Sequence, residues 1–166
     1  MPQGIIVKGV GGFYYVKTDD RTVECKARGK FRSEKMSPLV GDIVDIEEQG
    51  GSGVIENILP RKTELIRPPV ANVDQAIIVF AATKPDPNFE LLDKFLLLCH
   101  KNNLDIIICI NKIDLMDISE VDDLFSFYKD SGFTLIYTST ITGFGIAEIK
   151  RKLKDKITVF AGPSGV

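Results

Sequence analysis

The sequence predicts two folds in tandem: an all-β barrel of the OB type, followed by an α/β domain with a parallel sheet. Residues 4–59 contain short strand-like runs separated by turn residues, with no long helical pattern. After residue 73, strand-like and helix-like segments alternate, which is typical of a doubly wound sheet. We therefore assign residues 1–67 to the barrel, 68–73 to a linker and 74–166 to the α/β domain.

The composition is that of an ordinary globular protein. The chain has 166 residues, of which 44% are hydrophobic and 27% are charged, and its net charge of -2 provides no overall basic field. No apolar run approaches the roughly 20 residues that span a bilayer, and the first residues lack a signal-peptide pattern. We expect a cytoplasmic protein with no membrane partner. Cys25, Cys99 and Cys109 are expected to be reduced core thiols.

Five strands are predicted in the first sixty residues. Each is an apolar or alternating run that is bounded by glycine, aspartate or serine turns. The runs are residues 4–9, 13–17, 22–27, 40–47 and 54–59. Five strands in so short a segment favour a small closed barrel, a fold that binds oligonucleotides through a strand face and adjoining loops.

Residues 26–35 of this barrel form a basic segment. It contains five cations, one acid and a central phenylalanine. Cations neutralise phosphates and an aromatic ring stacks on a base, so the segment suits RNA. An exposed, solvated loop explains it equally well, and only the barrel around it favours RNA. The candidate RNA-binding residues are Lys26, Arg28, Lys30, Phe31, Arg32 and Lys35.

The pattern changes at Pro68 and Pro69, which stiffen a connector and exclude helix. Beyond them, strands are predicted at residues 74–82, 104–110, 133–138 and 156–161. Helices are predicted at residues 86–103, 119–131 and 145–154. The first of these helices has Asp86 as its candidate N-cap and Pro87 at its first position.

The unbroken apolar run at residues 106–110 predicts a buried strand, and Asn111, Lys112 and Asp114 follow at its carboxyl end. The spacing Asn-Lys-x-Asp suits guanine, because a carboxylate at Asp114 can accept hydrogen bonds from the ring N–H and the exocyclic amine. If Asp114 is buried, adenine leaves it unpaired, and this discriminates strongly. Asn111 would tie the base to neighbouring backbone, and the stem of Lys112 would lie over the ring. A solvated loop after a core strand is the alternative.

A Ser/Thr/Gly loop follows the next predicted strand. In GTPases a loop at this place offers backbone N–H groups to the guanine carbonyl oxygen, although such loops are common elsewhere. The candidate guanine-binding residues are therefore Asn111, Lys112, Ile113, Asp114, Ser139 and Thr140.

The last five residues match the opening of a phosphate-binding motif, G-x-x-x-x-G-K-[ST], and a strand precedes them as that motif requires. The backbone N–H groups of such a loop surround a phosphate. A glycine-rich tail is the alternative. The candidate phosphate-binding residues are Gly162, Pro163, Ser164, Gly165 and Val166.

The order of the two loops indicates a circular permutation. In ordinary GTPases the phosphate loop precedes the guanine loop, whereas here it follows it. At this point the chain resembles the circularly permuted GTPases of the small ribosomal subunit, the RsgA (or YjeQ) family. The resemblance covers essentially the whole chain. It is carried by RGKFR at 28–32, ANVDQ at 71–75, NKIDL at 111–115, STITGFG at 139–145 and GPSGV at 162–166.

The resemblance implies a P-loop GTPase that hydrolyses GTP with Mg²⁺, is stimulated by the small (30S) subunit and assists its late maturation. It also implies binding to 16S rRNA, action as a cytoplasmic monomer, and zinc in a C-terminal domain. The sequence stops before the second glycine, the lysine and the Ser/Thr of the phosphate motif. We expect an N-terminal piece of such a protein, truncated within the G domain, with no metal site. Its catalytic residues are expected beyond Val166, so this chain alone should not hydrolyse GTP.

Two other functions remain open from the sequence. One is a non-catalytic RNA-binding module whose α/β part is a scaffold. The other is a P-loop NTPase that acts on small molecules. Guanine selectivity at Asp114 distinguishes the proposed GTPase from the scaffold.

Overall fold

The computed structural model describes residues 1–33, 36–66 and 68–166, apart from the side chains of Arg32, Ser33 and Gln49. These residues form two compact units, Met1–Val73 and Asp74–Val166. Each unit has its own sheet and its own buried apolar residues. In the described part of the chain, no helix combines the length and the apolar character needed to cross a membrane.

The first unit contains a closed five-stranded barrel, as predicted. Its strands are β1 (Gln3–Val10), β2 (Phe13–Lys17), β3 (Thr22–Ala27), β4 (Ile43–Gln49) and β5 (Ser52–Ile58). They pair in the order β1-β2-β3-β5-β4, and an antiparallel pairing between β1 and β4 closes the barrel. The β3–β5 pair is parallel, whereas the other pairs are antiparallel.

Alternation along the strands fills the barrel. In β3, Val23 and Cys25 are buried, while the residues between and beside them are exposed. Successive side chains of a strand point to opposite faces, so every second residue can enter the core. The wholly buried residues of this core are Ile6, Val16, Val44, Ile46 and Ile55.

The predicted linker at residues 68–73 is wrong, because this segment is part of the first unit. Residues Glu64–Ile66 (β6) and Pro69–Ala71 (β7) pair as a short antiparallel ribbon, and Val70 bridges to Val40 beside the barrel. Ala71 and Val73 are buried. Pro69 is compatible with a strand because it stands at the first position of a short edge strand, where no ladder donor is needed.

The second unit alternates strands and helices, as predicted. Its elements are β8 (Gln75–Ala81), α2 (Phe89–Lys101), β9 (Asp105–Asn111), α3 (Ile118–Asp130), β10 (Thr134–Tyr137), α4 (Ile146–Leu153) and β11 (Thr158–Ala161); α1 is a single turn, Lys30–Ser33, in the first unit. All pairings in the sheet are parallel, in the order β10-β9-β8-β11. The free thiols of Cys25, Cys99 and Cys109 are buried, as expected.

Helix α2 begins later than predicted. Asn88, not Asp86, is its N-cap, and the Asn88 side chain accepts a hydrogen bond from the N–H of Leu91 at 2.9 Å. Asp86 precedes a proline, and a residue in that position disfavours the helical conformation. The side chain of Asp86 instead accepts a hydrogen bond from Thr83.

The sheet topology gathers four loops at one edge. The chain runs from β8 to β9 and β10 on one side, then returns to β11 on the other side of β8. Because all four strands are parallel, the loops that follow them emerge at the same carboxyl-end edge. Ligands of open α/β sheets bind at this edge, next to the strands where the order reverses.

Candidate functional site

Asp114 stands at this edge, in the short 3-10 turn Ile113–Leu115 that follows β9. Its carboxylate oxygen Oδ1 accepts a hydrogen bond from the hydroxyl of Ser139 at 2.5 Å. Asp114 itself is exposed, contrary to the burial assumed from the sequence. Of the residues described, Ser139 is its one hydrogen-bond partner, and a carboxylate can accept several more hydrogen bonds. The open carboxylate therefore has capacity for the two donors of a guanine edge.

Ser139 orients this carboxylate through its hydroxyl group. It is wholly buried, and its hydroxyl also accepts a hydrogen bond from the N–H of Thr142 at 3.1 Å. The loop is closed further by the bond from the Gly143 N–H to the Ser139 carbonyl at 2.8 Å. Among the described residues, the N–H groups of Thr140 and Ile141 have no acceptor. These two N–H groups are available for a carbonyl oxygen of a base.

Asn111 is 8% exposed at the end of β9. Its amide oxygen accepts a hydrogen bond from the Thr138 hydroxyl at 3.2 Å. Its amide nitrogen has no partner in the described part of the structure, yet no wholly buried side-chain nitrogen or oxygen there is unpaired. The nitrogen of Asn111 therefore reaches the surface of the site.

Thr138 belongs to the candidate site and was missed by sequence reasoning. It is 2% exposed and contacts Cys109 as well as Asn111, with 3.3 Å between the Cys109 sulfur and the Thr138 hydroxyl oxygen. Burial raises the pKa of the Cys109 thiol, and the Thr138 hydrogen bond opposes this shift. Thr138 also accepts, through its carbonyl, a bond from the N–H of Ile113 at 3.3 Å. The predicted guanine residue Ile113 thus uses its N–H internally, to hold the loop.

Lys112 joins two loops of the edge. Its ammonium donates hydrogen bonds to the carbonyl oxygens of Lys84, at 2.6 Å, and Gly165, at 2.5 Å. Its backbone is in the left-handed region, with φ of 60°. For a residue with a side chain this costs on the order of 1–3 kcal/mol, and such strain is concentrated at functional sites.

The predicted phosphate residues, 162–166, follow β11 at the same edge. Gly162 packs against β8: a Cβ there would lie 2.2 Å from the carbonyl oxygen of Val79. Gly165 has φ of 82°, which glycine adopts without strain. In the part of the chain described, the N–H groups of Ser164 and Gly165 have no acceptor. The loop therefore has the close backbone approach and the free donors that a phosphate site needs.

The basic residues of the barrel are partly engaged with acids and rings. Arg28 pairs with Glu56 and, at 3.5 Å, with Glu47. The ammonium of Lys26 lies 5.0 Å from the centre of the Phe13 ring. The ammonium of Lys30 lies 3.3 Å from the Asn57 amide oxygen. The side chain of Arg32 and the whole of Lys35, also predicted to bind RNA, are outside the described residues.

The predicted stacking role of Phe31 is wrong for this structure. Phe31 is 5% exposed and belongs to the barrel core, since α1 turns its ring inward. Aromatic rings on the outer face come instead from β2, where Phe13 is 37% exposed and the Tyr15 ring lies 5.2 Å from the Lys8 ammonium. The alternation in the run FYYVK (13–17) was the sequence signal that could have identified them.

The described residues contain no group of three His, Cys, Asp or Glu side chains that could hold a metal ion.

Comparison with known families identifies the chain. The RsgA N-terminal domain model matches residues 3–55, and the RsgA GTPase model matches residues 58–166. The chain belongs to the RsgA GTPase family. Relatives include the small ribosomal subunit biogenesis GTPases RsgA of Alkaliphilus metalliredigens and Caldanaerobacter subterraneus. The first is 48% identical over 100% of this chain and 58% of the relative, and the second is 52% identical over 99% and 56%.

Two solved structures share the fold. YjeQ from Thermotoga maritima superposes with a TM-score of 0.89 and is 40% identical, over 99% of this chain and 61% of YjeQ. YloQ, described as a circularly permuted GTPase, gives a TM-score of 0.85 at 40% identity. The chain thus spans somewhat more than half the length of the RsgA relatives it matches. The predicted order of loops agrees with a permuted G domain.

Proposed function

We propose that residues 74–166 bind the base of a guanine nucleotide, as part of a GTPase that acts on the small ribosomal subunit. The single observation that carries the proposal is the open carboxylate of Asp114. Ser139 orients it, and the N–H groups of Thr140 and Ile141, which have no acceptor among the residues described, stand on the same loop as Ser139. A guanine edge carries two donors beside one carbonyl acceptor, and this arrangement complements that pattern. Adenine has its exocyclic amine where guanine has the carbonyl.

The family supports a proposal for the activity of the whole protein. The relatives are named as GTPases of small-subunit biogenesis, and we propose the same reaction, GTP to GDP and phosphate, for the protein to which this sequence belongs. Mg²⁺ would accompany GTP in that protein, and the 30S subunit and its 16S rRNA would be the partners in the cytoplasm. For the 166 residues alone we expect weak nucleotide binding and no turnover, because phosphoryl transfer needs the lysine and metal ligands of the full motif.

The first experiment tests base recognition. The nucleotide affinity of Asp114→Asn is measured by calorimetry, in this chain and in one continued with the segment that follows the matched region of the Caldanaerobacter relative. We expect GDP affinity to fall about tenfold or more, the size of a lost charged hydrogen bond, and XDP to become the preferred ligand. Asp117→Asn is the matched control, since Asp117 is a neighbouring exposed carboxylate that makes no side-chain cap bond. Unchanged GDP affinity in Asp114→Asn would refute the assignment and leave the RNA-binding module as the better function.

We propose further that the barrel anchors the protein to ribosomal RNA. Lys26 lies in β3, Arg28 follows this strand and Lys30 begins α1. The ammonium of Lys26 lies 5.0 Å from the centre of the exposed Phe13 ring. Cations beside an accessible aromatic suit a single-stranded or looped RNA. The acids that accompany Arg28 reduce its net field, so Lys26 should contribute more than Arg28 does.

The second experiment tests this anchor. Replacing Lys26, Arg28 and Lys30 with Ala should weaken sedimentation with small subunits and flatten the slope of log affinity against log salt by roughly 2 to 3, since each phosphate contact contributes about 0.7–0.9. The control replaces Lys94, Lys101 and Lys129, which removes the same charge from helices of the other unit. Equal effects of the two triple variants would show a general charge effect and no RNA-facing site in the barrel.

A further inference from the structure

Three residues with left-handed backbone conformations are joined by the hydrogen bonds of one ammonium group. Lys112 has φ of 60°, and its two acceptors, Lys84 and Gly165, have φ of 51° and 82°. Lys84 and Lys112 carry side chains, which disfavour this region of backbone space. Such conformations persist where the surrounding contacts determine them. Here Lys112 donates both hydrogen bonds, and Lys84 accepts one of them.

The loop that contributes Lys84 is residues 83–88, between β8 and α2. It is held at three places. The N–H of Ala82 donates to the Asn111 carbonyl at 2.8 Å, which continues the β8–β9 pairing up to the loop. The hydroxyl of Thr83 donates to Asp86 Oδ1 at 3.0 Å, and Asn88 caps α2. Lys84 lies within the turn that the Thr83–Asp86 bond closes, so this bond limits the directions open to the Lys84 carbonyl.

We infer that the loop at residues 83–88 is a positioning element of the nucleotide site, acting through the ammonium of Lys112. The inference rests on the proposed guanine site and adds a third loop to it. Lys112 follows Asn111, and the stem that leads to its ammonium is the part expected to cover the base. That ammonium donates one hydrogen bond to the Lys84 carbonyl and another to the Gly165 carbonyl of the phosphate loop. Moving residues 83–88 therefore moves both the base loop and the phosphate loop.

A purely structural role for Asp86 makes a different prediction. If the Thr83–Asp86 bond only shapes the entry to α2, its loss changes the stability of the helix and leaves Gly165 undisturbed. If the bond positions Lys84 for Lys112, its loss reaches Gly165, which is far away in the sequence. The loss of the bond then has no further effect on the nucleotide site once the ammonium of Lys112 is removed.

The first test uses the 166-residue chain without nucleotide. In ¹H–¹⁵N spectra, Asp86→Ala should shift the amide resonances of Lys112 and Gly165, and Asp86→Asn, which retains the acceptor oxygen, should restore them. The control is Glu90→Gln, in the exposed Glu90–Lys94 pair on the first turn of α2. Shifts confined to residues 83–92 would overturn the inference, whether or not the chain binds guanine.

The second test measures coupling. Asp86→Ala should lower GDP affinity about fivefold, the effect of one net hydrogen bond, without changing the preference for GDP over XDP. In a Lys112→Met background the same substitution should have less than about a twofold effect, since residues that act as one unit are not additive. Equal losses in the two backgrounds would overturn the inference. If Asp114→Asn leaves GDP binding unchanged, the guanine site itself is refuted, and the amide shifts then decide separately whether the loop positions Lys112.

Discussion

Two asparagines, one in each unit, are almost equally buried and are used differently. Asn72 in the barrel unit is 7% exposed, and both ends of its amide are paired: the nitrogen donates to the Gly41 carbonyl at 3.0 Å, and the oxygen accepts from the Lys62 N–H at 2.8 Å. Asn111 in the α/β unit is 8% exposed, and among the described residues only the oxygen of its amide is paired, with Thr138. Burial does not separate the two residues, but the unused donor of Asn111 does.

Two aspartates repeat the contrast. Asp42 is wholly buried and accepts hydrogen bonds from two nitrogens of Arg61, both at 2.8 Å, and from the Leu39 N–H at 2.7 Å. The hydrogen bonds that Arg61 donates to Asp42 raise the pKa of Arg61 above its ordinary value. Asp114 is exposed and has one hydrogen-bond partner in the part of the chain that the structure describes. Fully paired polar groups hold the barrel unit together, whereas partly paired groups at the strand ends of the α/β unit leave capacity for a ligand.

The largest effect should come from breaking the Asp42–Arg61 pair. Arg61→Ala leaves the Asp42 carboxylate buried without its charge partner, which should lower the free energy of unfolding of the barrel unit by about 3–5 kcal/mol. Urea unfolding followed by hydrogen exchange distinguishes the units, because peptides from residues 1–73 should lose protection first. Arg61→Lys retains a charge but loses the two-pronged contact, and it should have a smaller effect. An unchanged unfolding midpoint for Arg61→Ala would contradict a structural role for this pair.

Periodicity predicted the elements that local sequence controls. The alternation in β3 and the apolar runs of β8 and β9 each allow one strand arrangement that buries their apolar side chains. These strands were therefore predicted correctly. The segment at residues 68–73 was not, because its burial depends on Val40 and Gly41, more than twenty-five positions away. A Cβ on Gly41 would lie 2.0 Å from the Ala71 carbonyl oxygen, a contact that no local pattern reveals.

Substitutions of the two asparagines should lower the free energy of unfolding by smaller and different amounts. Asn72→Gly removes both amide hydrogen bonds while keeping a residue that tolerates the φ of 55°. We expect it to destabilise the barrel unit by about 1–3 kcal/mol, because the Gly41 carbonyl and the Lys62 N–H lose their partner. Asn111→Ala should destabilise the α/β unit by less than about 1 kcal/mol, since only one neutral bond is lost. Thermal unfolding of both variants checks this, and equal losses would remove the distinction drawn between them.

The candidate site was proposed as far as motifs extend. Asn111, Lys112 and Asp114 came from their spacing and Ser139 from the loop after the next strand, and the structure brings Asp114 and Ser139 into contact. Thr138 and the loop at residues 83–88 were missed, because their roles come from hydrogen bonds between segments that are distant in sequence. Phe31 was misassigned for the same reason: composition places an aromatic among cations, but the direction of its ring depends on the turn α1.

The smallest effect on stability should come from Asp114. Asp114→Ala removes an exposed carboxylate and one hydrogen bond, so the free energy of unfolding of the α/β unit should change by no more than about 0.5 kcal/mol. Ser139 keeps its bond from the Thr142 N–H, so the loop remains closed without Asp114. Chemical denaturation measures the change, and GDP titration of the same sample shows whether binding is lost while the fold is retained. A destabilisation comparable to that of Arg61→Ala would place Asp114 among the structural aspartates and remove the main support for the guanine site.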